Sequence, residues 1–286
     1  MKGIVLAGGT GSRLWPITHS ISKQLLPIYD KPMIHYPIST LMLSGVREIL
    51  IITTPHDQES FKNLLGDGKE LGVNFQYETQ ISPKGLAEAL IISSDFLDGD
   101  SCMMILGDNI FHGGGFGQNL QQFSEVSGSH IFLYEVSTPS EYGIAEIGNL
   151  GTVISIEEKP KSPKSNFAIT GLYIFDSMAS GFAKQVVPSD RGELEITSVL
   201  QMYLDINKLN YSKMSRGTAW LDTGSFNSLH DASTYIRVLE ERTGLKVACL
   251  EEIAWRNGWI SNHELMEAAN HAKNKNLKDY LLKISK

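Results

Sequence analysis

An α/β fold built on a mainly parallel sheet flanked by helices is predicted for this chain of 286 residues. Three observations carry that expectation. Short apolar runs alternate with helical patterns, which is the signature of βαβ units. The runs are continuously apolar, as strands covered on both faces require. A glycine-rich turn follows the first run, where the backbone of an α/β sheet meets phosphates.

The predicted strands of the first half are Gly3–Leu6, Glu48–Thr53, Asn74–Tyr77 and Cys102–Leu106. Helices are expected between them over Pro32–Ser44, Asp57–Leu65 and Leu86–Phe96. Beyond about residue 128 the pattern loosens. Ile131–Val136, Ile144–Ile147, Thr152–Glu157 and Ala168–Phe175 read as added strands, some of them alternating and hence antiparallel in character. Ser225–Lys286 reads mainly as helices, the first over Ser225–Glu241 with Ser225 as N-cap and Gly244 as stop. No internal repeat or linker is apparent, so one domain is expected: a nucleotide-binding half over 1–128, a second half over 129–224 and a helical appendage over 225–286.

Composition excludes several classes. The 42% hydrophobic content is that of a globular protein, and the net charge of −7 argues against a nucleic-acid surface. Two cysteines, Cys102 and Cys249, lie too far apart for a metal spacing and suit a reducing cytoplasm. The apolar start breaks at Gly8-Gly9, short of a signal peptide, and no stretch is long enough for a bilayer span, so no membrane partner is expected. His263-Glu264 lacks the second histidine of a zinc-protease motif, since Glu267 stands there.

The first glycine loop is Ala7-Gly8-Gly9-Thr10-Gly11-Ser12-Arg13-Leu14. It lacks the Lys-Ser/Thr ending of a Walker A loop, and Leu14 replaces the third glycine of a dinucleotide fingerprint. Arg13, and Lys23 ten residues on, place two cations beside it, which suits a triphosphate. Asp108 after the strand Cys102–Leu106, and Asp222 after Trp220-Leu221, are candidate metal ligands at strand ends. Mg²⁺ takes one or two protein carboxylates and completes its shell with phosphate oxygens and water.

These strings extend along the chain as LAGGTGSRL, SKQLLPIYDKPMIHYP, LGDG, LGDN, EEKP, SNFAITGLY, RGELEIT and AWLDTG. Together they resemble the sugar-phosphate nucleotidylyltransferases, and within them the short-form glucose-1-phosphate thymidylyltransferases. The resemblance implies a Rossmann-like core, extra sugar-binding strands, Mg²⁺ dependence and a homotetramer. It implies attack of glucose 1-phosphate on the α-phosphorus of dTTP, with catalysis by Arg13, Lys23, Asp108, Lys159 and Asp222. The nucleotide would lie on Leu6, Gly8, Gly9, Gly11, Ser12, Arg13 and Gln24, with Gln80 and Gly85 reading the base and Asp108 near its sugar. The sugar phosphate would lie on Tyr142, Gly143, Glu158, Lys159, Thr170, Gly171, Tyr173 and Arg191.

A regulatory nucleotide site at a subunit interface is also implied, with Arg216, Lys246, Val247, Ala248, Glu252, Ile253 and Arg256 binding dTDP-rhamnose as inhibitor. The chain departs from the family pattern at Lys84, where an acid is more frequent, and at Ser198, where Asp is usual. The nearest rival reading is a member using UTP or another sugar. A rival of another class is a non-catalytic nucleotide-sugar regulator, but a dead copy would have lost one of the charged residues that are all present here.

Overall fold

The computed structural model describes residues 1–9 and 11–286; Thr10 of the glycine loop lies outside the described residues. The strands are β1 (Lys2–Ala7), β2 (Pro27–Ile28), β3 (Lys31–Pro32), β4 (Glu48–Thr53), β5 (Asn74–Thr79), β6 (Cys102–Leu106), β7 (Asn109–His112), β8 (Ser129–Glu135), β9 (Gly143–Ile147), β10 (Val153–Glu158), β11 (Phe167–Phe175), β12 (Leu209–Lys213) and β13 (Ala219–Asp222). The helices are α1 (His35–Leu43), α2 (Gln58–Leu65), α3 (Glu88–Ile92), α4 (Ser94–Leu97), α5 (Phe116–Asn119), α6 (Ala179–Ala183), α7 (Ile196–Asp205), α8 (Phe226–Thr243), α9 (Leu250–Arg256), α10 (Asn262–His271) and α11 (Lys275–Ile284).

The main sheet runs β10-β9-β11-β6-β1-β4-β5, with β8 also against β11 and β12 beyond β8. The pairs β6·β1, β1·β4, β4·β5 and β8·β12 are parallel, and every antiparallel pair of this sheet among the described residues involves β9 or β11. The strands expected from continuous apolar runs are the parallel ones, and the physical reason is visible in the core. Val5, Ile49, Ile51, Met103 and Ile105 face one layer, while Ile4, Leu50, Ile52 and Met104 face the other. Both faces are covered, so neither can be polar.

Two helix expectations are corrected. The segment 32–44 begins its helix only at His35, because Lys31–Pro32 pairs with Pro27–Ile28 as a hairpin. The segment 86–96 is two short helices joined at Ser93 rather than one. Three polar or short strands, β7, β12 and β13, carry too little apolar pattern to be seen in sequence.

The C-terminal helices share the main core. Leu250, Ile253, Ala254, Leu265, Ala269 and Leu281 pack in one cluster with Ile34, Ile38 and Leu41 of the α1 region. α8 opens on a capping box at Ser225, ends at Gly244 with φ of 66°, and seats Ala232 and Ile236 on Ile28, Met33 and Ile110. No helix among the described residues is long and apolar enough to cross a membrane.

Candidate active site

The parallel strands β1, β4, β5 and β6 end on one edge of the sheet, the side on which open α/β sheets bind ligands in a crevice. Its floor depends on close backbone approach. The Gly107 N–H donates to the Leu6 carbonyl at 2.9 Å, tying the loops after β1 and β6 together. A side chain at Gly107 would meet Leu6 O and Gln24 Cγ, each 3.0 Å from a Cβ there. Gly8 is equally confined: a Cβ would run into Oε1 of the buried Gln80. Gln80 in turn donates through Nε2 to the Gly85 carbonyl at 3.3 Å and to Glu88 Oε2 at 2.8 Å. Gly11 sits at φ 62°, a backbone shape that favours glycine, before the single 3₁₀ turn that carries Ser12 and Arg13. Gly9, Ser12 and Arg13 are exposed at the mouth.

Two carboxylates and two cations converge beside this floor. Lys23 is buried and forms an ion pair with Asp108 Oδ2. The β7·β13 ladder sets Asn109 opposite Asp222, and Thr223 donates to the Asp108 carbonyl through N at 3.1 Å and Oγ1 at 2.7 Å. These bonds lock the two aspartate backbones together although 114 positions separate them in sequence. The Arg13 guanidinium lies on Gly224, with Nη2 2.6 Å from where a Cβ would stand, so any larger residue there would displace it.

The two carboxyls differ in proton affinity. Burial tends to raise Asp108, but the Lys23 ammonium and the Asn109 amide overcome it and hold the group below its usual range. Burial and then the Asp108 charge push Asp222 up to about 6, against a partial offset by Lys23 and Arg13. Two facing carboxylates, one held charged and one reluctant to ionise, suit a divalent cation, whose charge would relieve both burial and repulsion. No third His, Cys, Asp or Glu gathers with them among the described residues. Phosphate oxygens and water would therefore complete the shell, as Mg²⁺ prefers.

The opposite wall comes from β9, β10 and β11. Glu158 ends β10 opposite Gly143, and its Oε2 accepts from Thr197 Oγ1 at 3.2 Å. Burial and the neighbouring Glu195 raise its pKa. Lys159 follows with φ of 42°, a conformation costly for a non-glycine residue, fixed by its N–H on the Tyr142 carbonyl at 3.1 Å. Its ammonium stands 3.9 Å from Glu158 and is largely free. Among the described residues the hydroxyl of the fully buried Thr170 has no hydrogen-bond partner. Gly171 has room for no side chain, since a Cβ would lie 2.5 Å from Asn109 Oδ1. Tyr142 tilts over Trp220 with ring centroids 5.1 Å apart. Tyr173 is 4% exposed, stacked on Phe175, so the core takes most of its ring.

The Arg191 guanidinium is half-exposed and shared among Glu158, Glu193 and Glu195, at 3.5, 3.1 and 3.4 Å. The same loop is zipped to the loop after β5: Leu194 N donates to Lys84 O at 2.6 Å and Ala87 N to Leu194 O at 3.0 Å. Lys84, one of the two departures, contributes its carbonyl here and an ion pair with Glu88 at 4.0 Å.

The residues implied for regulation do not form one open cation pair. Lys246 is bound by Asp30 and Glu240, and Val247 N donates to Glu240 Oε1 at 2.9 Å. Arg256 pairs with Glu252 at 2.7 Å, whose other oxygen accepts from Tyr280. Among the described residues Arg216 has no hydrogen bond or salt bridge to any of them; it is exposed between β12 and β13. Ala248 and Ile253 are buried.

Sequence reasoning missed Asn109 and Trp220. The first stands in the LGDN string and the second in AWLDTG, but their hydrogen bond joins residues 111 positions apart.

Comparison with known proteins accords with this geometry. Residues 2–238 match the family model described as nucleotidyl transferase. The glucose-1-phosphate thymidylyltransferase of Mycobacterium tuberculosis (strain H37Rv) is 52% identical over 284 residues, covering 99% of both chains. That of Neisseria meningitidis serogroup A is 50% identical over 287 residues, covering all of both. Among solved structures, a glucose-1-phosphate thymidylyltransferase from Bacillus anthracis in complex with sucrose is 41% identical, with a TM-score of 0.76 over 83% of this chain and 95% of that one. A UDP-glucose pyrophosphorylase bound to UDP-glucose shares the fold at 24% identity and a TM-score of 0.74, over 83% of this chain and 98% of that one. The chain therefore belongs to the nucleotidyl transferase family and, within it, to the glucose-1-phosphate thymidylyltransferases.

Proposed function

We propose that this enzyme joins dTTP and α-D-glucose 1-phosphate, giving dTDP-glucose and pyrophosphate. The observation that carries the reading is the convergence of Asp108 and Asp222 with Lys23 and Arg13, at the end of the crevice that Glu158 and Lys159 close. A phosphate oxygen of the sugar phosphate attacks the α-phosphorus. That O–P bond forms in line as the bond to the bridging oxygen breaks, and pyrophosphate carries the electron pair away. The nucleophile is already ionised at neutral pH, so no base is needed. The work is positioning and neutralisation of charge.

In this reading Gly8, Gly9, Gly11 and Ser12 approach the triphosphate, and Leu6, Gln24, Gln80 and Gly85 hold the nucleoside. Arg13 and Lys23 meet the charge that develops on the leaving pyrophosphate. Lys159 fixes the sugar phosphate. Glu158, Thr170, Gly143, Gly171 and Tyr142 face the sugar, where the Thr170 hydroxyl, unpartnered among the described residues, has a hydrogen bond to offer. Asp108 and Asp222 would hold Mg²⁺, which supplies a fixed double positive charge against the phosphate oxygens. Two buried free thiols fit a cytoplasmic enzyme.

A pyrophosphate-release assay over several nucleoside triphosphates and sugar 1-phosphates tests the reaction. The best rate is expected with dTTP and glucose 1-phosphate in the presence of Mg²⁺. A strong preference for UTP would move the base assignment, and no turnover with any pair would end the enzyme reading.

Metal demand should depend on pH. The folded-state pKa of Asp222 is raised to about 6 from 3.8, so the carboxyl keeps a proton through this window that the unfolded chain has lost. In the metal-free protein this group favours folding most below about pH 4, and its contribution falls as pH rises through about 6. Metal must displace that proton. The Mg²⁺ concentration for half activity should rise about tenfold per unit as pH falls below about 6, the limit for displacing one proton. A flat response from pH 5 to 8 would show that Asp222 is not a ligand.

The resemblance to the family also supports a homotetramer inhibited by dTDP-rhamnose at Arg216, Lys246, Val247, Ala248, Glu252, Ile253 and Arg256. Because Lys246 is committed to Asp30 and Glu240, the exposed Arg256 is the better probe. Arg256→Ala should weaken inhibition about tenfold, the scale of one hydrogen bond to a charged group. Unchanged inhibition, or a monomer by light scattering, would remove this site.

A further inference from the structure

We propose that the indole N–H of Trp220 is a positioning group for Asp108, acting through Asn109. The inference rests on the reading of Asp108 as a metal ligand and names what aims it.

Asn109 is only 3% exposed, and its side chain makes three hydrogen bonds among the described residues. Its Oδ1 accepts from Trp220 Nε1 at 2.6 Å and from the Gly171 N–H at 3.2 Å. Two N–H donors on one atom decide which end of the amide is oxygen, because the flipped amide would set NH₂ against both of them. Nδ2 must then face the other way, where it donates to Asp108 Oδ1 at 2.9 Å. Lys23 holds Oδ2. Each Asp108 oxygen has thus one fixed donor and one lone pair left, and the plane of the carboxylate is set before any ligand arrives.

The indole is itself held. It meets Tyr134 edge-on at 5.7 Å and Tyr142 at 5.1 Å, and β13 pairs it with Phe111 of β7. A phenylalanine at 220 would keep much of this aromatic packing and lose only the donor. Asn109 would then have a single donor and could turn, and Asp108 would lose its aim. Removing the hydrogen-bond partner that orients a metal ligand weakens metal binding by about 10–100-fold. Acting at one remove, Trp220 is assigned the lower end.

The test is Mn²⁺ binding to the intact protein without substrates, read by water proton relaxation, for wild type, Trp220→Phe, Asn109→Ala and the double variant. Trp220→Phe should raise the Mn²⁺ Kd about tenfold. In the Asn109→Ala background it should add nothing, because both changes cut one relay. The Mg²⁺ activation constant at saturating substrates should move in parallel. An unchanged Kd in Trp220→Phe, with only the KM for the sugar phosphate altered, overturns the relay, as does an equal rise in both backgrounds. Should Trp220→Phe not fold, the Trp220 indole ¹⁵N–H resonance of the wild type, one of four indoles, is expected to shift on saturation with Mg²⁺, and an unmoved resonance overturns the proposal. Asp108→Asn binding Mn²⁺ as tightly as wild type is a separate result. It removes the ligand assignment itself, and the relay with it.

Discussion

Replacing Lys23 with alanine should lower kcat by about 10²–10³-fold, the cost of losing one preorganised charge at a transition state. Two effects add. The ammonium proposed to meet the leaving pyrophosphate is gone, and Asp108 loses the ion pair that keeps it charged. With its main counterweight to burial removed, the Asp108 pKa rises, and Asp222 rises with it because Lys23 also lowers that group. The acid limb of the pH–rate profile should therefore move to higher pH, and the Mg²⁺ requirement should grow at fixed pH. Steady-state rates from pH 5 to 9 check both. A kcat within about threefold of wild type would show that the buried ion pair supports folding alone, since a catalytic contact is worth far more.

Gly85→Ala should be nearly as severe, for a different reason. Gly85 has φ of 111°, and a Cβ there would press into the Leu194 main chain, which no rotamer can relieve. Backbone strain of about 1–3 kcal/mol and overpacking of similar size add to about 2–6 kcal/mol. The clash falls on the seam where the loop beside Gln80 meets the loop carrying Arg191 and Glu195, so kcat/KM should drop about 100-fold for both substrates together. Gly181→Ala is the control. That glycine lies in α6 with open space beside it, and the change should leave rates unaltered. A Gly85→Ala enzyme impaired only toward the nucleotide would mean the two loops act independently.

The sequence made the central strands and the charged residues legible, but not their partners. β4 and β6 were read at their true limits because doubly covered strands must be apolar throughout. β12 and β13 have five and four residues with mixed burial, and nothing in Leu209–Lys213 or Ala219–Asp222 distinguishes strand from loop locally. Arg13, Lys23, Asp108, Glu158, Lys159 and Asp222 stood out through motif and charge. What neutralises them was hidden: Arg191 looked free until its three glutamates were in place, and Lys246 meets Asp30 from 216 positions away. Hydrogen-bond hubs such as Asn109 depend on strand order, which single residues do not encode.

The family match ends at residue 238, inside α8, yet the hydrophobic cluster that closes one face of the sheet continues to Leu281. A minimal fragment cut at the family boundary would carry the crevice residues named here and still be poorly framed. It would strip Leu250, Ile253, Leu265 and Leu281 from the α1 layer and take from Asp30 and Lys31 their ionic partners Lys246 and Glu240. The segment so released, Pro27–Pro32, begins four positions after Lys23. For anyone building chimaeras or shortened catalysts from this scaffold, the last forty-odd residues belong with the catalytic half, as the brace that keeps its lysine loop in register.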